Sequence, residues 1–323
     1  MNLTIGKIRR LQQCATPEGK FVMFALDHRG NLRRSLNPEA PKTVTYEQMA
    51  GFKRELTREI SGMATAVLLD PVYGAGPAIV SGAIAPASGL LVAVEKTGYT
   101  GDPTARESKI LDGWSVEKIS RLGAAGVKLL LYYHPGAPNA AEQEALVQQV
   151  AEECARFDIP LFLEPLSFAL DPAVKNLASE EKRQVVIETA RRLTPMGVDI
   201  LKAEFPLNIA DETNESIWAE ACAELSAASV VPWVLLSAGV SYEDFERQTK
   251  IACQYGASGV LVGRAVWKEA TNVHGQARSE FLRTTATVRM QRLAAIIDQY
   301  GRTWTDFYPG MRDSVVEGWY KKY

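Results

Sequence analysis

The chain has 323 residues, 46% hydrophobic and 23% charged, with a formal net charge of −2. That balance belongs to an ordinary soluble globular protein and, lacking a basic surplus, argues against a general nucleic-acid binder. No 18-residue apolar stretch suggests a membrane-crossing helix, and four cysteines at positions 14, 154, 222 and 253 lack the short spacings of a zinc knuckle or disulfide frame.

The N-terminal segment is amphipathic and has no long apolar core. It is read as a helix without a secretory leader, and a cytoplasmic location is expected. Eight short apolar runs then follow in order. They are Phe21–Asp27, Thr65–Asp70, Leu90–Glu95, Val127–Tyr133, Pro160–Glu164, Asp199–Glu204, Pro232–Ser237 and Gly259–Arg264. Their nearly continuous apolar character predicts strands buried on both faces. Segments of helical periodicity separate them. Met49, Phe52, Leu56 and Ile60 form one stripe behind a Thr45/Gln48 capping box. Val116, Ile119 and Leu122 form another after Ser115, and Ser241 with Asp244 opens the helix after the seventh run. The runs start about 25–45 residues apart, the size of a strand–helix unit. Eight such units predict an α/β fold, a (β/α)8 barrel. The competing doubly wound sheet lacks a Gly-x-Gly-x-x-Gly after the first strand. Residues 278–300 read as the last helix and residues 301–323 as an aromatic tail that packs on the barrel or on a second subunit. No linker divides the chain, so a single barrel domain over residues 1–323 is expected.

In such a barrel, chemistry gathers at the C-terminal ends of the strands. Lys202 lies inside an apolar run, where a charge is costly unless paired or used. It either pairs with Glu204, reaches solvent, or serves as a nucleophilic amine. Lys128 and Glu164 occupy comparable places in strands four and five. Because side chains alternate along a strand, all three can point into the barrel. One lysine would lower the pKa of the other, and Glu164 offers a proton shuttle. The competing reading is a buried structural salt bridge. Ser237, Gly239, Gly263 and Arg264 end strands seven and eight, where amides and a cation can hold a phosphate. Arg29, Arg33 and Arg34 could meet a second anion after strand one, the competing reading being a solvated basic helix start. Asp27 and His28 stand at the same end, and Asp70 reads as a loop-fixing residue. Glu95 and Lys96 are candidates for ligand contact, and Tyr132 and Tyr133 read as core or rim aromatics. His28, His134 and Glu164 could supply zinc ligands. With three histidines in all and no local pair, that set leaves the two strand lysines without a purpose, and no metal is expected.

Taken together, Ala25-Leu-Asp-His-Arg-Gly30, Leu68-Leu-Asp-Pro-Val-Tyr-Gly74, Glu95-Lys-Thr-Gly-Tyr99, Trp114-Ser-Val, Val127-Lys-Leu-Leu-Leu-Tyr-Tyr133, Phe162-Leu-Glu164, Leu201-Lys-Ala-Glu204, Leu236-Ser-Ala-Gly-Val240 and Gly263-Arg-Ala-Val-Trp267 resemble the class I tagatose 1,6-bisphosphate aldolases. The resemblance spans most of the chain. It implies a barrel that cleaves a ketose 1,6-bisphosphate into dihydroxyacetone phosphate and glyceraldehyde 3-phosphate without metal or cofactor. It implies that Lys202 forms the Schiff base, Glu164 is the acid/base and Lys128 the neighbouring cation. It further implies that Ser237, Gly239, Gly263 and Arg264 hold the C1 phosphate, with Asp27, His28 and Arg29 as further substrate contacts. His28 stands where members usually carry glutamine, and the segment between strands six and seven is shorter than theirs. The sulfofructose 1-phosphate aldolases share the endings of strands seven and eight, but strands two and three follow the tagatose pattern. Fructose 1,6-bisphosphate is a second expected substrate, and a non-catalytic sugar-phosphate sensor is the alternative of another class. The expected partner is a small sugar phosphate, with no nucleic acid or membrane, and a homo-oligomer, a dimer, is expected.

Overall fold

Each of the eight apolar runs is a strand. The computed structural model describes residues 3–321 and 323. The strands are β1 (Phe21–Leu26), β2 (Ala66–Leu69), β3 (Gly89–Ala93), β4 (Gly126–Tyr132), β5 (Leu161–Leu166), β6 (Ile200–Ala203), β7 (Trp233–Leu236) and β8 (Gly259–Val262). They pair in parallel in chain order and close β8 onto β1, giving the (β/α)8 barrel. The strands end one or two residues before the apolar runs do at Asp27, Asp70, Glu95 and Glu204. The polar end residues are thus lifted out of the hydrogen-bonded ladder toward the barrel mouth.

Alternation divides the core into two layers. Val22, Phe24, Val67, Val127, Leu163, Leu201 and Leu235 face outward and pack against the helices. Phe21, Met23, Ala66, Leu68, Leu91, Phe162, Ile200, Val234 and Leu261 face inward and fill the lower barrel. The helix Tyr46–Ile60 begins with the expected capping box, Thr45 and Gln48 exchanging both bonds. Its stripe of Met49, Phe52, Leu56 and Ile60 is buried. Ser115 and Ser241 cap their helices as the spacing predicts. The last helix starts earlier than expected, at Gly275, and carries a π turn over Leu282–Ala286. There the Thr287 amide and hydroxyl both bond the Leu282 carbonyl, which widens the turn.

Leu11 from the N-terminal helix (Ile5–Cys14) and Leu3 just before it, with Trp304 and Tyr308 from the tail, join the inward-facing cluster and cap the lower end of the barrel. Tyr308 donates its hydroxyl to the Asp199 carbonyl at 2.9 Å. The buried Asp199 carboxylate pairs with Lys7 at 2.7 Å and accepts the Leu161 amide at 2.8 Å. The tail therefore packs on the barrel over Trp304 and Tyr308. Among the described residues, no helix is long and apolar enough to cross a membrane.

Candidate active site

Strand parity brings the polar residues together. Asp27 follows the inward-facing Met23 and Ala25, and Lys128 follows Gly126 on β4. Glu164 and Lys202 lie one step beyond the paired Leu163 and Leu201, so they are neighbours across β5 and β6. At the mouth they line a cavity of about 640 Å³, a volume within the usual range for a small-molecule site.

Glu164 is the bridge. Its Oε1 lies 2.9 Å from the Lys202 amine, and its Oε2 lies 2.9 Å from that of Lys128. Lys128 is fully buried and also meets Asp27 at 2.7 Å and Glu95 at 2.8 Å. Burial alone would lower the pKa of the Lys128 ammonium, but Asp27, Glu164 and Glu95 outweigh it and hold it well above its ordinary value. Burial likewise pushes the Glu164 and Asp27 carboxyls up. Lys128 first and Lys202 second more than offset this, and both carboxyls end below their usual range. The two lysines do not face each other as bare like charges, because a carboxylate stands between them. Glu204, the other possible partner of Lys202, instead accepts the Ser167 amide and hydroxyl at 2.7 and 2.6 Å.

The glycine-rich strand ends form a second wall. Ser237 accepts the Gly263 amide at 3.3 Å, and Arg264 donates to the Ala238 carbonyl at 3.1 Å. Ala238 and Gly239 both take positive φ, 45° and 87°. A β-carbon on Gly239 would stand 2.9 Å from the Arg264 guanidinium carbon, so glycine is what lets the cation approach this turn. Ser237, Ala238, Gly263 and Arg264 line the cavity, whereas Gly239 is not among its lining residues. Burial lowers the pKa of Arg264, against the raising influence of Glu164 and Asp27.

His28 and Arg29 also line the cavity. Arg29 is buried and donates to the Glu95 carbonyl at 2.6 Å. Of the other two arginines, Arg34 lines the cavity, while Arg33 turns to the Tyr73 hydroxyl at 2.7 Å. His134 accepts the Gly136 amide at 3.0 Å and is not among the cavity residues, so the zinc set His28, His134 and Glu164 does not assemble. Among the described residues, no three His, Cys, Asp or Glu side chains are grouped to hold a metal ion. Asp70 fixes its loop as expected, accepting the Val72 and Tyr73 amides at 2.9 and 2.8 Å. Its charge is met by Lys53, which also bonds the Leu26 carbonyl at 2.7 Å.

Two features were not singled out from sequence as parts of the charge network. Glu95 joins Lys128 and also accepts the Leu130 amide at 3.1 Å. Its position at a strand end was the available signal. The segment after it folds back through isolated bridges Glu95–Ile110 and Thr100–Glu107. There Arg106 lies over the rings of Tyr99, Tyr132 and Phe168 at 4.7, 5.7 and 4.6 Å. Tyr132 is a rim residue of the cavity, and Tyr133 is buried with its hydroxyl on Glu144.

The profile of the DeoC/LacD family aldolases matches residues 21–269. Tagatose 1,6-diphosphate aldolase 2 of Streptococcus pyogenes serotype M1 is 34% identical over 330 residues, covering 95% of this chain and 99% of that protein. Tagatose 1,6-diphosphate aldolase of Lactococcus lactis subsp. lactis is 34% identical over 329 residues, with the same coverages of 95% and 99%. Among solved structures, an archaeal fructose 1,6-bisphosphate aldolase superposes with a TM-score of 0.60 at 19% identity, covering 90% of this chain and 98% of that one. Fructose-bisphosphate aldolase from Plasmodium falciparum superposes with a TM-score of 0.71 at 13% identity, covering 94% and 98%. At such identities these structures speak for the barrel alone.

Proposed function

This chain belongs to the DeoC/LacD family of aldolases, and from that premise we propose that it cleaves tagatose 1,6-bisphosphate through an imine on Lys202. The products are dihydroxyacetone phosphate and glyceraldehyde 3-phosphate. The observation that carries this reading is the Glu164 bridge, which lies 2.9 Å from both Lys202 and Lys128 in a buried site. A structural ion pair needs neither a second lysine nor an open cavity above it.

The neutral Lys202 amine attacks the C2 ketone, its proton having passed across the short contact to Glu164. Glu164 gives that proton to the carbinolamine hydroxyl, which departs as water, leaving a protonated imine and an ionised Glu164. Glu164 then takes the C4 hydroxyl proton as the C3–C4 bond breaks, its electrons flowing to the imine nitrogen. The aldehyde departs. The enamine takes a proton at C3, and water hydrolyses the imine to release the ketone. Lys128 stays charged among its three carboxylates and fixes the Glu164 carboxylate toward Lys202. Ser237, Gly239, Gly263 and Arg264 receive the C1 phosphate, and Arg34 with Arg29 stands where the second phosphate would approach. Asp27 and His28 complete the wall toward β1. The whole chain acts as one barrel unit in the cytoplasm, assembled as a dimer whose mass light scattering would measure.

The test joins chemistry with substrate choice. Borohydride added with tagatose 1,6-bisphosphate should attach the reduced triose phosphate to Lys202, and Lys202→Met should abolish both adduct and cleavage. Comparing kcat/KM for tagatose and fructose bisphosphates and for sulfofructose 1-phosphate, with and without chelator, ranks the substrates. Unlabelled Lys202 under turnover, or activity surviving Lys202→Met, would overturn the mechanism. A preference for sulfofructose 1-phosphate would overturn the substrate.

A further inference from the structure

His28 is held more tightly than its place beside a loop suggests. Its ring meets Trp267 edge-on, with centroids 5.3 Å apart and planes at 79°. Trp267 is itself fixed, donating its indole N–H to the Ala25 carbonyl at 3.0 Å and packing on Phe52 at 6.0 Å. On the other side, a β-carbon at Gly263 would stand 3.0 Å from His28 Cε1. The imidazole is wedged between the end of β1 and the glycine end of β8, with one edge in the cavity.

The two ring nitrogens differ. Nδ1 is buried, has no hydrogen-bond partner and lies 3.8 Å from Asp27 Oδ1. The other Asp27 oxygen is engaged by Lys128. A lone pair on Nδ1 would face a carboxylate oxygen, whereas an N–H there is attracted to it, so the proton belongs on Nδ1. The ring carries only that one proton. Burial pulls its pKa down to about 4, Asp27 opposes this, and Arg264, Lys202 and Lys53 add to the lowering. Near neutral pH, Nε2 is therefore a bare acceptor in a cavity that it shares with the donors Lys202 and Arg264.

We propose that His28 is a specificity-determining residue whose Nε2 accepts a hydrogen bond from the substrate hydroxyl on C3, the carbon beside the ketone. This rests on the proposed pose, with the phosphate between Ser237 and Arg264 and C2 at Lys202. A bare acceptor repels phosphate oxygens and attracts a hydroxyl, so its target is the sugar and not the anion. Glutamine at this position would offer a carbonyl as well as donors. The histidine ring offers the acceptor alone.

The probes are dihydroxyacetone phosphate and hydroxyacetone phosphate, which lacks the hydroxyl. Dissociation constants and rates of borohydride-trapped imine are compared for wild type, His28→Gln and His28→Phe. The wild type should favour dihydroxyacetone phosphate. His28→Phe, which keeps the wedge against Trp267, should shrink that preference about ten-fold, the scale of one lost hydrogen bond. His28→Gln should keep part of it, and affinity for inorganic phosphate should move less than about three-fold in either variant. If His28→Phe does not fold, His28→Leu carries the same comparison. An unchanged preference overturns the proposal, as does a loss of phosphate affinity equal to the loss of preference. If neither ketone traps on Lys202 in the wild type, the proposed function fails. Trapping with an unchanged preference overturns the role of His28 alone.

Discussion

Replacing Lys128 by methionine tests whether its charge holds the site together. The Lys128 ammonium is fully buried and touches three carboxylates at 2.7, 2.8 and 2.9 Å. Methionine fills much of the volume but leaves Asp27, Glu95 and Glu164 facing one another, with Lys202 meeting only Glu164. Removing one partner from a buried charge cluster costs about 3–5 kcal/mol. For a chain of this size that corresponds to a fall in Tm of about 4–7 °C. The deficit should depend on pH with a definite sign. In the wild type, the Asp27 and Glu164 carboxyls lie below their ordinary values. Their contribution is present above the unfolded pKa values, about 3.9 and 4.3, and is lost as pH falls through the folded ones. In the variant, burial goes unopposed by Lys128, and the folded carboxyl pKa values rise above the unfolded ones. The penalty is then full near neutrality and is relieved as pH falls through the raised values. Thermal melts of both proteins from about pH 8 to about pH 5.5 read the difference directly. A Tm deficit that stays constant over that range, or a variant as stable as the wild type, would refute the reasoning. Lys128→Arg, which keeps the charge, should recover part of the loss.

Glu164→Gln keeps the shape but removes the proton acceptor, so kcat for cleavage should fall by about 10²–10⁴ while circular dichroism stays unchanged. Gly239→Ala puts a methyl 2.9 Å from the Arg264 guanidinium carbon at a φ of 87°. Affinity for inorganic phosphate, measured by calorimetry, should weaken about ten-fold as the cation is displaced, with the Lys202 adduct still forming at high substrate. Tyr308→Phe removes the donor to the buried Asp199 carbonyl. Urea denaturation should register a loss of about 1 kcal/mol, with kcat/KM unaffected.

The barrel was legible because parallel strands buried on both faces announce themselves as apolar runs, and a lysine within such a run is conspicuous. Parity along β4, β5 and β6 then sufficed to aim Lys128, Glu164 and Lys202 at one space. Glu95 was harder to place, because it lies two residues beyond the end of β3 at Ala93. Its contact with Lys128 depends on the stagger between neighbouring strands, which no single run encodes. Lys53 escaped notice for the opposite reason. It sits within the apolar stripe of its helix, where a lysine reads as a snorkelling side chain, yet it is buried against Asp70. The basic cluster Arg29, Arg33 and Arg34 read either as an anion site or as a solvated helix start. The structure keeps Arg29 and Arg34 on the cavity, with Arg29 also bonding the Glu95 carbonyl, and turns Arg33 to Tyr73, because neighbouring residues on a helix point in different directions.

The filled floor of the barrel governs traffic. Phe21, Phe162 and Ile200 occupy the space beneath Lys202, and Leu11 and Trp304 close the end below them. A molecule can reach the amine from one direction only, and whatever leaves must use the doorway through which the next must enter. Nothing flows through this enzyme. Each departing product vacates a berth, and at high product concentration the pace is set by how long that berth stays occupied.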